Sequence, residues 1–188
     1  MRLTFHLLAI VLLSAVFASA QTPEAQSFAK GGLSFNYPNG WQLQELKNDD
    51  AIDLVLSRPN NDVQIKVFVH KGRIAAEKLP EAKKAFIDPY VKAVGKQFEA
   101  MGATPKQAPD TSEFAGVNAD GVNITASLGG ETGASKIYWA LVGQRVVVLT
   151  FFGPDRELKQ FAPAWDMVRT SLKIEEKPAA SPSPKPSP

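Results

Sequence analysis

The chain has 188 residues, no cysteine, and 21 Lys and Arg against 19 Asp and Glu, a formal charge of +2. This length suits one folded domain, and so even a charge balance gives no electrostatic basis for binding nucleic acid or an anionic membrane. The missing cysteines exclude disulfides, thiolate zinc sites, iron–sulfur clusters, cysteine nucleophiles and an acylated lipoprotein cysteine.

Residues 1–20 open with Met1-Arg2, run through an apolar stretch broken by Thr4, His6 and Ser14, and end in Ala18-Ser19-Ala20. A positive start, an apolar middle and an A-x-A end describe a secretory signal peptide cleaved after Ala20. The apolar stretch is shorter than the ~20 residues of a spanning helix. The expected product is therefore periplasmic or secreted, with no membrane insertion after cleavage. Residues 21–30 (QTPEAQSFAK) lack periodicity and read as a flexible leader.

From Leu33 the residues alternate. Leu33, Phe35 and Tyr37 predict a strand, Pro38-Asn39-Gly40 a type I′ turn, and Trp41 and Leu43 the second strand of a hairpin. Ile52, Leu54 and Leu56 predict a third strand, ended by Arg58-Pro59-Asn60-Asn61, and Val63, Ile65, Val67 and Val69 a fourth. Four strands joined by short turns are the economical arrangement. The period then lengthens: Ile87, Val91, Val94, Phe98 and Met101 recur every three or four residues, an amphipathic helix stopped by Gly102. Pro89 lies inside it and predicts a kink, or a restart with Asp88 as N-cap.

Beyond Pro105 and Pro109, four strands are expected at 112–118, 122–128, 135–142 and 145–152. Gly116-Val117 and Asp120-Gly121 compete as the turn of the first pair, and Gly143-Gln144 joins the last pair. Val146-Val147-Val148-Leu149 is apolar on both faces, so its strand should be central and covered above and below. Leu158, Phe161, Trp165, Val168 and Leu172 predict a final helix with Asp155 as N-cap, interrupted at Pro163. Residues 175–188, with five prolines among small and charged side chains, read as a disordered Pro/Ser-rich tail. The folded unit is thus 31–174: an α+β domain, with a central antiparallel sheet of about six to eight strands and helices on both faces.

Three stretches together, Phe35-Asn36-Tyr37-Pro38-Asn39-Gly40-Trp41, the strand pair 138–152, and the closing helix from Trp165 to Ile174, resemble the PsbP-like superfamily. That group includes the photosystem II protein PsbP, Mog-type Ran-binding proteins and exported bacterial proteins. The resemblance spans 31–174 and implies an α/β/α sandwich. Members with known roles act by binding proteins and, in the photosynthetic case, by supporting the ion environment of an inorganic cofactor. The resemblance carries no catalytic residues, and nothing here points to a thylakoid role.

The residues suited to chemistry are few. His70 is the only histidine after residue 20, and no G-x-S-x-G elbow supplies it with a nucleophile, so it reads as a solvated strand-end residue. Asn48-Asp49-Asp50…Asp53 and the acceptors of 118–123 cluster oxygen donors, but neither has the spacing of a calcium loop, and turn chemistry accounts for both. Gly129-Gly130-Glu131-Thr132-Gly133-Ala134-Ser135-Lys136 lacks Walker order and precedes a strand; it reads as a hairpin connection. Asn123-Ile124-Thr125 matches a glycosylation sequon but sits on an expected strand. Trp41, Trp139 and Trp165 fall on periodic apolar faces and read as core. No catalytic, cofactor-binding or metal-binding set emerges. The expected function is a non-catalytic exported binding or accessory domain that engages a protein partner. The alternatives are a carrier of a small apolar ligand held between helix and sheet, and a hydrolase using His70.

Overall fold

A computed structural model describes residues 25–175; the expected signal peptide, residues 21–24 of the leader and residues 176–188 of the tail lie outside the described residues. In chain order the strands are β1 (Ala25–Lys30), β2 (Leu33–Pro38), β3 (Gln42–Leu46), β4 (Ala51–Ser57), β5 (Gln64–His70), β6 (Lys106–Phe114), β7 (Val117–Leu128), β8 (Glu131–Val142), β9 (Arg145–Pro154) and β10 (Lys173–Ile174). Helix α1 (Leu79–Ala82) passes through a π-helical turn, Lys83–Ile87, into α2 (Asp88–Ala100); α3 (Asp155–Gln160) and α4 (Ala162–Ser171) precede β10.

Seven strands pair antiparallel in the order β3-β4-β5-β9-β8-β7-β6, and β1-β2-β10 form a separate small sheet. The doubly apolar strand is central, as its sequence requires. Val147, Leu149 and Phe151 of β9 face one way into a core with Leu54, Leu56, Trp165 and Val168, beneath α3, α4 and the small sheet. Val146 and Val148 face the other way, into a second core with Ile87, Val94, Phe98 and Trp139 beneath α1 and α2. Burying alternate residues of one strand in two cores is what makes the domain an α+β sandwich with helices on both faces.

Several connections differ from the sequence reading. Ala25–Lys30, read as part of the leader, is an edge strand: it pairs with β2, and Phe28 stacks on Phe35 at 5.3 Å. Its other side chains are exposed, so it has no alternation to read. The expected hairpin at Pro38-Asn39-Gly40 is absent. Only Gly40 has positive φ there (82°), the requirement of a type II and not a type I′ turn, and β2 and β3 enter different sheets. The first strand pair of the second half also differs from the expected 112–118 and 122–128. Ala115 and Gly116 (φ 51° and 73°) make its turn, so β6 begins at Lys106 and carries Pro109 on the free edge of the sheet. Gly143 and Gln144 (φ 53° and 64°) do form the two-residue β8–β9 loop.

The helices resolve the proline ambiguities. Before Pro89 the chain widens into the π turn and continues with Asp88 already helical, so Asp88 is not an N-cap; its carboxylate instead pairs with Lys83. At the other end, Gly102 N–H donates to Glu99 and Ala103 N–H to Phe98, a Schellman closure. Asp155 is likewise inside its helix, with extended Pro154 as the cap, and Pro163 lies in the first turn of α4 after a break at Phe161.

Candidate functional site

The face of the sheet beneath α2 is built in rows fixed by strand register. Asp53, Phe68, Val148 and Trp139 stand abreast on β4, β5, β9 and β8, and Val55, Lys66, Thr150 and Ile137 form the next row. Helix α2 covers the β8–β9 side with Val94 and Phe98. Over β4 and β5 the cover is incomplete, because the π turn directs Ile87 into the core and leaves Phe86 projecting, 38% exposed.

A cleft of three adjoining hollows results. The first, of about 140 Å³, lies among Asp53, Lys66, Phe68, Phe86, Tyr90 and Thr150. The second, of about 210 Å³, shares Lys66, Tyr90 and Thr150 with it and reaches Ser135. The third is an open groove of about 410 Å³ at the C-terminal end of α2, where Met101 and Leu128 meet Phe98 and Phe152. Met101, read as part of the buried stripe, lies past the last helical residue and is 48% exposed. Leu128, beside the Gly129-Gly130 turn, is 50% exposed.

Polar groups inside the cleft are under-satisfied. Asp53 Oδ1 and Ser135 Oγ are buried without a hydrogen-bond partner among the described residues. Lys66 Nζ sits 5.3 Å from the centre of the Tyr90 ring, a cation–π contact. The Tyr90 hydroxyl lies 3.0 Å from Thr150 Oγ1. Burial holds the Tyr90 phenol above the usual tyrosine value, and the nearby Asp53 charge adds to this. Tyr138, on the opposite face of the sheet, is raised by burial and by its hydrogen bond to Asp110 Oδ2 (2.7 Å).

These two phenols set an alkaline limit. Their folded pKa values lie above the unfolded value of about 10, so their contribution to stability is intact below that pH and is lost as pH rises beyond it. Urea unfolding should therefore show lower stability near pH 11 than near pH 8, and Tyr90→Phe should flatten part of that slope.

The remaining candidates separate from this cleft. His70 stacks on Phe86 at 4.9 Å, and its Nδ1 accepts the Gly72 N–H at 3.1 Å. No carboxylate or hydroxyl among the described residues hydrogen-bonds to its ring, so no triad forms around it. The Asn48-Asp49-Asp50 turn is an Asx turn closed by Asn48 Oδ1, and the Lys71 ammonium binds the Asn48 and Asp49 carbonyls. Residues 118–123, read as a turn, lie within β7, paired to β6. No group of three metal-ligating side chains occurs among the described residues. The glycine-rich segment is the β7–β8 hairpin, with Leu128 opposite Glu131. Trp41, Trp139 and Trp165 are all core; Trp165 stacks on Phe151 at 5.3 Å.

Two further polar residues gave no sign of their role in the sequence. Glu157 is buried, and its Oε2 accepts the N–H groups of Asp62 (2.8 Å) and Val63 (2.9 Å). Arg145, also buried, donates to the carbonyls of His70 (2.8 Å) and Gly31 (2.9 Å), and burial lowers its pKa. Both satisfy backbone groups brought close only by tertiary packing, which no local pattern encodes.

No family model matches the chain, and no curated protein matches it in sequence. Solved structures do match. The solution structure of cyanobacterial PsbP (CyanoP) from Synechocystis sp. PCC 6803 aligns with 84% of this chain and 96% of its own, at 12% identity and a TM-score of 0.53. A crystal structure of a protein from Bacteroides thetaiotaomicron VPI-5482 aligns with 83% of this chain and 50% of its own, at 15% identity and a TM-score of 0.50. The fold is PsbP-like, as the three resembling stretches implied. Among the described residues no helix is long and apolar enough to cross a membrane.

Proposed function

We propose that the chain is an exported, non-catalytic accessory domain that engages a protein partner through the groove at the C-terminal end of α2. The observation that carries this reading is the convergence of Met101 and Leu128, two of the three exposed large hydrophobics among the described residues, on one open groove. A contiguous exposed apolar patch bordered by polar groups marks an association surface when it is large; here Met101 and Leu128 line one groove with Phe98 and Phe152, together with the polar Asp62, Gln64 and Glu131. The groove floor is fixed by the hairpin and the Schellman closure, so little ordering is needed on binding. Export rests on the signal peptide read from 1–20, and the PsbP-like fold is consistent with an accessory role outside the cytoplasm. The environment of His70 offers no support for hydrolysis.

Affinity capture with the mature chain in the organism that makes it tests this. A partner retained by the wild type should be lost from a Met101→Glu/Leu128→Glu variant that keeps the same melting temperature. Equal retention by the two proteins would remove the groove from the account.

A further inference from the structure

The hollow at the N-terminal end of α2 is lined by other residues than the Met101–Leu128 groove. We propose that it binds a small zwitterion with an apolar body, of the free α-amino-acid class, with the ligand ammonium on Asp53, its carboxylate on Lys66, and its side chain between Phe68, Phe86 and Val148.

Two opposite charges face this hollow unpaired. Asp53 Oδ1 is buried with no hydrogen-bond partner, and Lys66 Nζ pairs with no carboxylate among the described residues, its contact being the face of Tyr90. That oxygen is closed to solvent, so what a ligand in the hollow meets is the carboxylate charge of Asp53, which lines it and forms no ion pair among the described residues. The Lys66 ammonium argues against a simple cation in the same space, and the Asp53 carboxylate against a simple anion. Only a ligand with both charges meets an opposite partner at each end. A neutral hydrogen-bonding ligand would leave both protein charges without a counter-charge.

Size and lining restrict the rest of the ligand. A cavity of about 150 Å³ holds a benzene ring, so the hollow of about 140 Å³ takes a branched aliphatic or small aromatic side chain only if the head group extends past Lys66 into the adjoining hollow of about 210 Å³ that shares Lys66, Tyr90 and Thr150. Phe68, Phe86 and Val148 give that side chain an apolar wall. The Tyr90 and Thr150 hydroxyls share one hydrogen bond and keep lone pairs and a proton for the ligand head group. The wall exists because of the π turn: single π-helical turns recur at functional sites, and this one brings Phe86 to the mouth of the hollow. The occupant differs from the wholly apolar ligand expected from sequence, because the alternation of β4 and β5 puts a carboxylate and an ammonium on the face under the helix.

Calorimetric titration of the mature chain with L-leucine, L-valine and L-phenylalanine tests the assignment, with isoamylamine and isocaproate as analogues of leucine that lack the carboxylate and the ammonium. At least one amino acid should bind saturably. Each single-charge analogue should bind leucine's site at least about tenfold more weakly than the zwitterion that fits best. Asp53→Asn and Lys66→Met should each weaken binding by about tenfold or more, and Lys92→Ala, on the exposed side of α2, should leave it unchanged. The analogue series uses the wild-type protein and so stands even if a variant fails to fold. Failure of all three amino acids to saturate at millimolar concentration, an amine or acid binding as tightly as its zwitterion, or unchanged binding by folded Asp53→Asn would each overturn the proposal.

Discussion

Gly121→Ala is expected to destabilise the domain by about 3 kcal/mol. Gly121 lies in the middle of β7 opposite Tyr138 of β8. A β-carbon there would lie 2.3 Å from Tyr138 Cδ1 and 2.7 Å from the Ile137 carbonyl oxygen. The second contact is with backbone and cannot be relieved by rotating a side chain. The ring is also pinned: its hydroxyl donates to Asp110 Oδ2, and its face packs on Trp165, 5.9 Å between centroids. Relief of the clash therefore costs either strand pairing or the Tyr138–Asp110 bond. Overpacking costs about 1–3 kcal/mol, and a lost buried hydrogen bond about 0.5–1.5 kcal/mol. Denaturant unfolding should show a lower midpoint with unchanged slope; a midpoint equal to wild type would mean that β7 and β8 stand further apart than described.

The second large effect is expected at Glu157, where alanine should cost about 3 kcal/mol and glutamine distinctly less. The carboxylate, 5% exposed, bridges the first turn of α3 to the β4–β5 connection by accepting two consecutive backbone N–H groups, Asp62 and Val63. Alanine orphans both donors, and Val63 is itself fully buried, so water reaches that donor poorly. Glutamine keeps an acceptor oxygen in place but loses the charge that strengthens the bonds. Hydrogen exchange should locate the damage, with the Asp62 and Val63 amides losing protection before those of β9. Unaltered protection in Glu157→Ala would show that the loop is held by other contacts.

Much of this fold was legible in the sequence, for a physical reason that varies along the chain. Wherever one face of an element meets a core, its period shows: β5, β8, β9, α2 and the halves of the last helix were all placed by alternation or by helical spacing. Elements held mainly by backbone pairing left no such mark. β1 exposes nearly every side chain, β10 is two residues long, and β6 begins in a run of exposed residues around Pro109. Turn chemistry misled at Asn39-Gly40, because a glycine with positive φ serves a type II turn between sheets as well as a hairpin. The cleft was less legible than the fold. Asp53 and Lys66 look like the solvent-facing residues of alternating strands, and so they are within β4 and β5; it is the distant α1–α2 segment that encloses them. Met101 shows the converse, since the helical period runs on past the point where the Schellman closure ends the helix.

Partner binding in the groove at the C-terminal end of α2 can be read in the producing cells by site-specific photocrosslinking. A photoreactive residue at Leu128 should give a discrete protein adduct that Met101→Glu diminishes by about tenfold, while the same residue at exposed Lys92, on the outer side of α2, should give none. Equal labelling from Leu128 and Lys92, or an adduct indifferent to Met101→Glu, would show that the groove is not where a partner binds.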